Sequence, residues 1–145
     1  VSALAEALVA AQAELPCAIP RDAEGEGYKY VTLDALLAIV RPILSKHGIA
    51  LSQWPSFETV YSGEKNPATL RPMLTTRLEH VSADKDYGTN DVREYKMPLY
   101  VNGNDMQGFG SAITYGRRYA LQAALGIAAE TDDDGRVASG KDVPF

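Results

Sequence analysis

Apolar and polar positions divide the chain into helical stretches followed by strand-like ones. Leu4, Leu8, Ala11 and Leu15 recur at helical spacing, which predicts an amphipathic helix over 2–15, ended by Pro16 and Pro20. The polar, Gly-containing stretch from Arg21 to Gly27 reads as a loop. A second helix is expected from Thr32, whose hydroxyl suits the free amides of a helix start. Leu33, Leu36, Leu37, Val40 and Leu44 form its apolar face, and Gly48 is a natural stop. Pro42 falls inside this pattern and is expected to kink or restart the helix.

Alternation then replaces the helical period. Ile49 to Trp54 reads as a strand broken by Pro55, with Thr59 to Tyr61 as a second, weaker one. Leu70 to Val81 alternates, placing Leu74, Thr76, Leu78 and His80 on one face. Val92 to Leu99 alternates again, with Pro98 marking an edge, and Asp84–Asn90 is the turn between these two strands. Asn102 to Gly110 is polar and Gly-rich, and a long helix is expected from about Ser111 to Leu125, stopped by Gly126. The order implies an α+β fold, an antiparallel sheet of three or more strands packed by helices. The expected organisation is a core over 1–129 and an acidic, flexible tail over 130–145.

Bulk properties narrow the function classes. The 145 residues are 46% apolar, enough for a single core. No apolar run approaches the roughly 18 residues of a membrane-spanning helix, and no signal-peptide pattern follows Val1. The chain is therefore read as intracellular, in the cytoplasm. A lone Cys17 excludes an internal disulfide framework or a thiolate metal cage. The net charge of −5 is unevenly spread. Residues 1–64 carry four basic and eight acidic side chains, 65–129 eight and six, and 130–145 two and five. The middle segment is thus mildly basic, and local rather than global charge decides contact with a polyanion.

The richest chemistry lies in GFGSAITYGRRYALQAAL, residues 108–125. On a wheel turning roughly 100° per residue, Ala112, Ile113, Gly116, Ala120, Ala123 and Ala124 share a face of small residues. Ser111, Tyr115, Arg118 and Gln122 form the opposite stripe, flanked by Thr114, Arg117 and Tyr119. Arginine neutralises phosphates, hydroxyls bond them and tyrosine stacks on bases, so this stripe fits single-stranded nucleic acid. Equally, the arginines read as solvated charges and the rings as partial core. Gly108 and Gly110 are placed just before the helix, where free amides favour a phosphate. Tyr28–Lys29–Tyr30 and Tyr95–Lys96 are weaker aromatic–basic clusters.

Enzyme readings find less support. His47 and His80 fit no metal-ligand spacing, and neither a nucleophile elbow nor a phosphate-binding P-loop is present. Asp132, Asp133 and Asp134 keep one alternative open, a Mg²⁺-dependent nuclease acting on DNA; consecutive carboxylates in a Gly-containing tail are more often simply solvated.

Three segments resemble the essential-recombination-function (ERF) family of bacteriophage proteins. They are YKYVTLDALLAIVRPILSKHGIALSQ (28–53), LTTRLEHVSAD (74–84) and, most distinctive, GSAITYGRRYALQAALGIAAETDDDG (110–135). The resemblance implies ATP-independent annealing of complementary single strands in recombination, with no cofactor and no catalytic residue. It also implies homo-oligomeric rings or filaments and a β-β-β-α core shared with annealing proteins. Where the family commonly has a Gly-containing turn after the strand, this chain has Ser82-Ala83-Asp84, which leaves the turn geometry open. The DNA contacts expected from both lines of argument are Arg117, Arg118, Tyr115 and Thr114, joined by Ser111, Tyr119 and Lys96. The end of the chain, Asp142-Val143-Pro144-Phe145, resembles the acidic, Pro-Phe-ended tip of bacterial single-stranded DNA-binding protein. That tail reads as a docking peptide for host repair proteins, as an autoinhibitor of the arginine groove, or as a solubilising extension.

Overall fold

The computed structural model describes residues 2–25, 28–81 and 91–129. Its sheet consists of β4 (Ile49–Val60), β5 (Thr69–His80) and β6 (Asp91–Pro98) in the order β4-β5-β6, antiparallel throughout, following the short strands β1 (Ala18–Ile19), β2 (Ala23–Gly25) and β3 (Tyr28–Tyr30). Helices α1 (Ala3–Glu14), α2 (Leu33–Lys46) and α3 (Met106–Leu125) pack against it, and β7 (Ala128–Ala129) ends the described chain. The fold is α+β, and β4, β5, β6 and α3 supply the expected β-β-β-α order.

The alternation in β5 sets the layers. Leu74, Thr76 and Leu78 are fully buried on one face, and Leu78 and Ile49 join Leu4, Leu8, Leu36, Val40, Leu44, Leu121 and Leu125 in one apolar core. The other face carries Trp54, Arg77, Glu94 and Lys96, with Arg77 tied to Glu79 at 3.3 Å and to Glu94 at 3.4 Å.

Four expectations change. Pro55 does not break the first strand: β4 runs unbroken from Ile49 to Val60 as an edge strand. Leu99 N–H donates to the Pro72 carbonyl, so even-numbered β5 residues aim their backbone groups at β6. Pro55 lies opposite Leu74, so its missing N–H points away from β5 and no ladder bond is lost. Pro42 does not restart α2, which is one helix from Leu33 to Lys46; Pro42 and Ala38 are both exposed, leaving the orphaned carbonyl open to water. The expected loop from Arg21 holds a short antiparallel hairpin, β2 with β3, too brief for periodicity to announce. Helix α3 begins at Met106, five residues before Ser111, because Asp105 caps it by accepting from Gly108 N–H at 2.7 Å. The expected turn over Asp84–Asn90 and the tail over 130–145 lie outside the described residues.

Carboxylates clamp the helix ends. Asp91 at the start of β6 accepts from Ser2 Oγ and, at 2.9 Å, from Leu4 N–H, holding the N-terminus of α1. Asp22 accepts from Thr32 N–H at 2.7 Å and Thr32 Oγ1 at 2.6 Å, fixing the cap of α2. Glu14 at the end of α1 meets Lys46 and His47 at the end of α2. Past α3, Gly126 adopts a left-handed φ of 69°, Gln12 Nε2 donates to the Leu125 carbonyl, and β7 pairs in parallel with β1.

Two glycines of α3, on either side of Phe109, should respond oppositely to alanine. A Cβ on Gly108 would lie 2.1 Å from the backbone oxygen of Asn102, whereas one on Gly110 meets nothing within 4 Å. Gly110→Ala should gain up to about 1 kcal/mol of helix propensity, while Gly108→Ala should lose roughly 1–3 kcal/mol through forced backbone displacement. Denaturant titration of the two variants checks the difference in sign.

Acid should loosen the helix clamps. Hydrogen bonds from Lys46 and then His47 lower the Glu14 pKa, bonds from the Thr32 hydroxyl and amide lower Asp22, and bonds from the Ser2 hydroxyl and Leu4 amide lower Asp91. Folding therefore favours the ionised carboxylates. Their stabilisation is complete above the unfolded values of about 4 and is lost as pH falls through the lowered folded values. Asp91→Asn should flatten the acid limb of a melting-temperature profile between about pH 5 and pH 2. An unchanged limb would remove Asp91 from this account.

Candidate nucleic-acid interface

The surface of α3 that faces solvent is determined by how the helix lies on the sheet. At Gly116 an added Cβ would come within 2.6 Å of Leu99 Cδ2 and 3.4 Å of Leu74 Cδ2, so the backbone here rests directly on leucine side chains. Gln53 Nε2 on β4 donates to Thr76 Oγ1 at 2.9 Å and to the Arg117 carbonyl at 3.1 Å, joining sheet to helix. Near the helix start, Phe57 and Phe109 stack with ring centroids 5.8 Å apart. These three contacts fix the roll of α3 and turn Ser111, Thr114 and Tyr115 outward, all exposed.

Those three residues open onto a cleft of about 1030 Å³ between the N-terminal halves of α2 and α3. Tyr30, Thr32, Asp34 and Gln107 line it together with Ser111, Thr114, Tyr115 and Arg118. Arg118 is only 8% exposed, contrary to the helical wheel, which centres it on the solvent stripe. Its Nη1 donates to the Val31 carbonyl at 3.1 Å, and its guanidinium lies 4.7 Å from the ring centre of Tyr30, 5.2 Å from Tyr115 and 5.9 Å from Tyr119. Tyr115 and Tyr119 pack with centroids 4.6 Å apart. The charge is thus held by π faces and a carbonyl, and among the described residues no carboxylate neutralises it. Its Nε is buried without a hydrogen-bond partner there.

The wheel assumes a single buried side along the whole helix. In the C-terminal half, Leu121 and Leu125 enter the core shared with α1 and α2, and Gln122 Nε2 bonds back to the Arg118 carbonyl. Arg118 is enclosed with them, while Ala123, expected inside, is exposed. Arg117 is half-buried, with its Nε lacking a hydrogen-bond partner among the described residues.

Two further expectations change. Gly108 and Gly110 lie inside α3, and the Gly108 amide already serves the Asp105 carboxylate, so the helix start offers a phosphate an anion rather than a free donor. Lys96 belongs to a different surface. It lies opposite Thr75, which lies opposite Trp54, in a row across the sheet face turned away from α3. Lys96 is exposed and Thr75 only 2% exposed. The structure therefore brings together Ser111, Thr114, Tyr115, Arg118 and Tyr119, sets Arg117 on the sheet-facing side of them, and separates Lys96.

Sequence reasoning missed Thr32, Asp34 and Gln107 as cleft residues; their signal was the cap of α2 and the start of α3, which periodicity alone placed late. Of the Tyr28–Lys29–Tyr30 cluster, the Tyr28 and Lys29 side chains are outside the described set, and Tyr30 packs on Arg118. Among the described residues no group of His, Cys, Asp or Glu could hold a metal ion, and the Asp132–Asp134 run lies outside them. No described helix is long and apolar enough to cross a membrane.

No curated protein and no solved structure matches the chain significantly. A family model does match, over nearly the whole length and through both the cleft-forming helices and the strands between them. With residues 4–142 matching the model of the ERF superfamily, the chain belongs to that family.

Proposed function

We propose that this protein binds single-stranded DNA along the exposed N-terminal half of α3 and anneals complementary strands without ATP. Membership of the ERF superfamily supports a general role in recombination. The observation that carries the finer reading is the cleft itself: two hydroxyls and an exposed tyrosine arranged around a guanidinium that no described carboxylate neutralises. Such groups grip phosphate and stack on any base, which is what annealing requires, because sequence readout would oppose pairing. Phosphates sit on the α3 side of the cleft, away from Asp34 and from the ionised Asp22 that caps α2. The core over 1–129 performs this binding, and homo-oligomers in rings or filaments extend it along a strand. The acidic tail over 130–145 docks on host repair proteins. The working place is the host cytoplasm.

The two neighbouring arginines should separate in their effects. Arg118→Ala removes a buried side chain with its carbonyl bond and ring contacts, and should lower stability by roughly 2–4 kcal/mol as well as weakening DNA binding. Arg117→Ala should melt close to the parent protein. If Arg117 neutralises one phosphate, its variant should lose about 0.7 from the slope of log K against log salt on single strands. Thermal melts beside gel shifts at several salt concentrations check both. An Arg117→Ala protein with the parental salt slope removes that residue from the interface.

A direct trial of annealing uses labelled complementary strands with and without Mg²⁺. Metal-independent duplex formation is expected. Strand shortening that needs Mg²⁺ and disappears in Asp132→Ala would replace annealing with the nuclease reading.

A further inference from the structure

Tyr115 stands between two clefts of different chemistry. On one side lies the polar cleft already described. On the other, α3 and the segment after β6 enclose a second recess of about 570 Å³. Met97, Pro98, Leu99, Ala112 and Gly116 give it apolar walls, while Tyr100 and Asn102 lie along the chain that closes it. Gly116 and Leu99 line it side by side, with Leu99, 5% exposed, packed where a side chain at 116 would go. Tyr100 is 88% exposed and Tyr115 54%, so two aromatic rings are available at a hollow they both line.

We infer that this recess receives one unstacked nucleobase of the bound strand, and that it is what makes the protein prefer single strands over duplex. The inference rests on the DNA reading above and adds the position of the base. Three observations select the occupant. Among the described residues, the only charged side chain lining the recess is Asp105, which caps α3 and would repel a phosphate but not a neutral ring. The walls are apolar and the rim offers the side-chain amides of Asn102 and Gln107, the mixture that holds a flat heterocycle. Tyr115, Ser111 and Gln107 line both hollows, so a strand crossing this ridge places its phosphate toward Arg118 and its base in the apolar recess. A single strand supplies an unstacked base readily, whereas a duplex must first break pairing and stacking. Once a complementary strand arrives, pairing competes for the base, and the finished duplex is released.

The experiment compares oligothymidylate of twelve residues, an abasic backbone of equal length, and a duplex. The parent protein should bind oligothymidylate about tenfold or more tightly than the abasic strand, in line with the loss of base–aromatic stacking. Ala112→Leu, which fills the recess from α3, should bring the two strands within about twofold and reduce the preference for single strand over duplex. Tyr100→Ala, at an exposed rim position, gives a second variant in case the leucine disturbs folding, and should weaken oligothymidylate but not abasic binding. Equal binding of oligothymidylate and abasic strand by the parent overturns the base recess while leaving DNA binding intact. Binding of neither overturns the DNA reading and the recess with it.

Discussion

The structure depends on how closely α3 approaches the sheet. A side chain at position 116 would collide with Leu99, so glycine there lowers the helix onto β5 and the end of β6. That approach brings the Arg117 carbonyl within reach of Gln53 and sets Phe109 on Phe57. A helix held at its start, middle and end has one rotation available, and from it follow the outward Tyr115, the inward Arg118 and a hollow on either side. Glycine carries a helix-propensity penalty of about 1 kcal/mol relative to alanine. The close packing obtained with Leu74 and Leu99, both nearly or fully buried, opposes that penalty.

The sheet was largely legible because the apolar residues of β5 follow a period of two: Leu74, Thr76 and Leu78 are buried as that period requires, and Thr75 is buried as well from the other face. Two prolines misled because only their local rule was applied. Pro55 breaks an isolated strand but not an edge strand whose ladder bonds fall on other residues, and Pro42 breaks a buried helix turn but not one facing water. Both outcomes depend on neighbours that are distant in sequence. The start of α3 was missed for a related reason: Asp105 is an ordinary cap, but the Gly-rich residues after it hid the helix, and Gly108 is needed there because Asn102 passes so close.

The site was legible in composition more than in arrangement. A wheel correctly separates Ser111 and Tyr115 from Gly116, since those residues lie where α3 has one buried side. It fails at Arg118, four residues after Thr114, because Tyr30 and Val31, where β3 leads into α2, close over the helix there. Burying a guanidinium is costly unless its donors and its charge are met. Here tyrosine faces and the Val31 carbonyl meet them in part, without a described carboxylate. A carboxylate partner would have cancelled the field of the guanidinium. Leaving the charge only partly compensated is what would let it act on a phosphate in the proposed complex.

The proposed binding of single strands has to be reconciled with a net charge of −5. Its described acids are largely occupied with structure: Asp22, Asp91 and Asp105 each bind the start of a helix, Glu14 joins two helix ends, and Glu58, Glu79 and Glu94 pair with arginines of the sheet. Carboxylates at helix starts meet the positive end of the helix dipole, so much of their field is spent inside the fold. The arginines of β5 are likewise committed to glutamates, which leaves the open sheet face nearly neutral despite Lys96. The cation without a described acidic partner nearest the hydroxyls is therefore Arg118, placed by α3 rather than by overall charge. On the proposed reading, so small a basic site gives a modest affinity per subunit, which suits the release of a strand once it is paired.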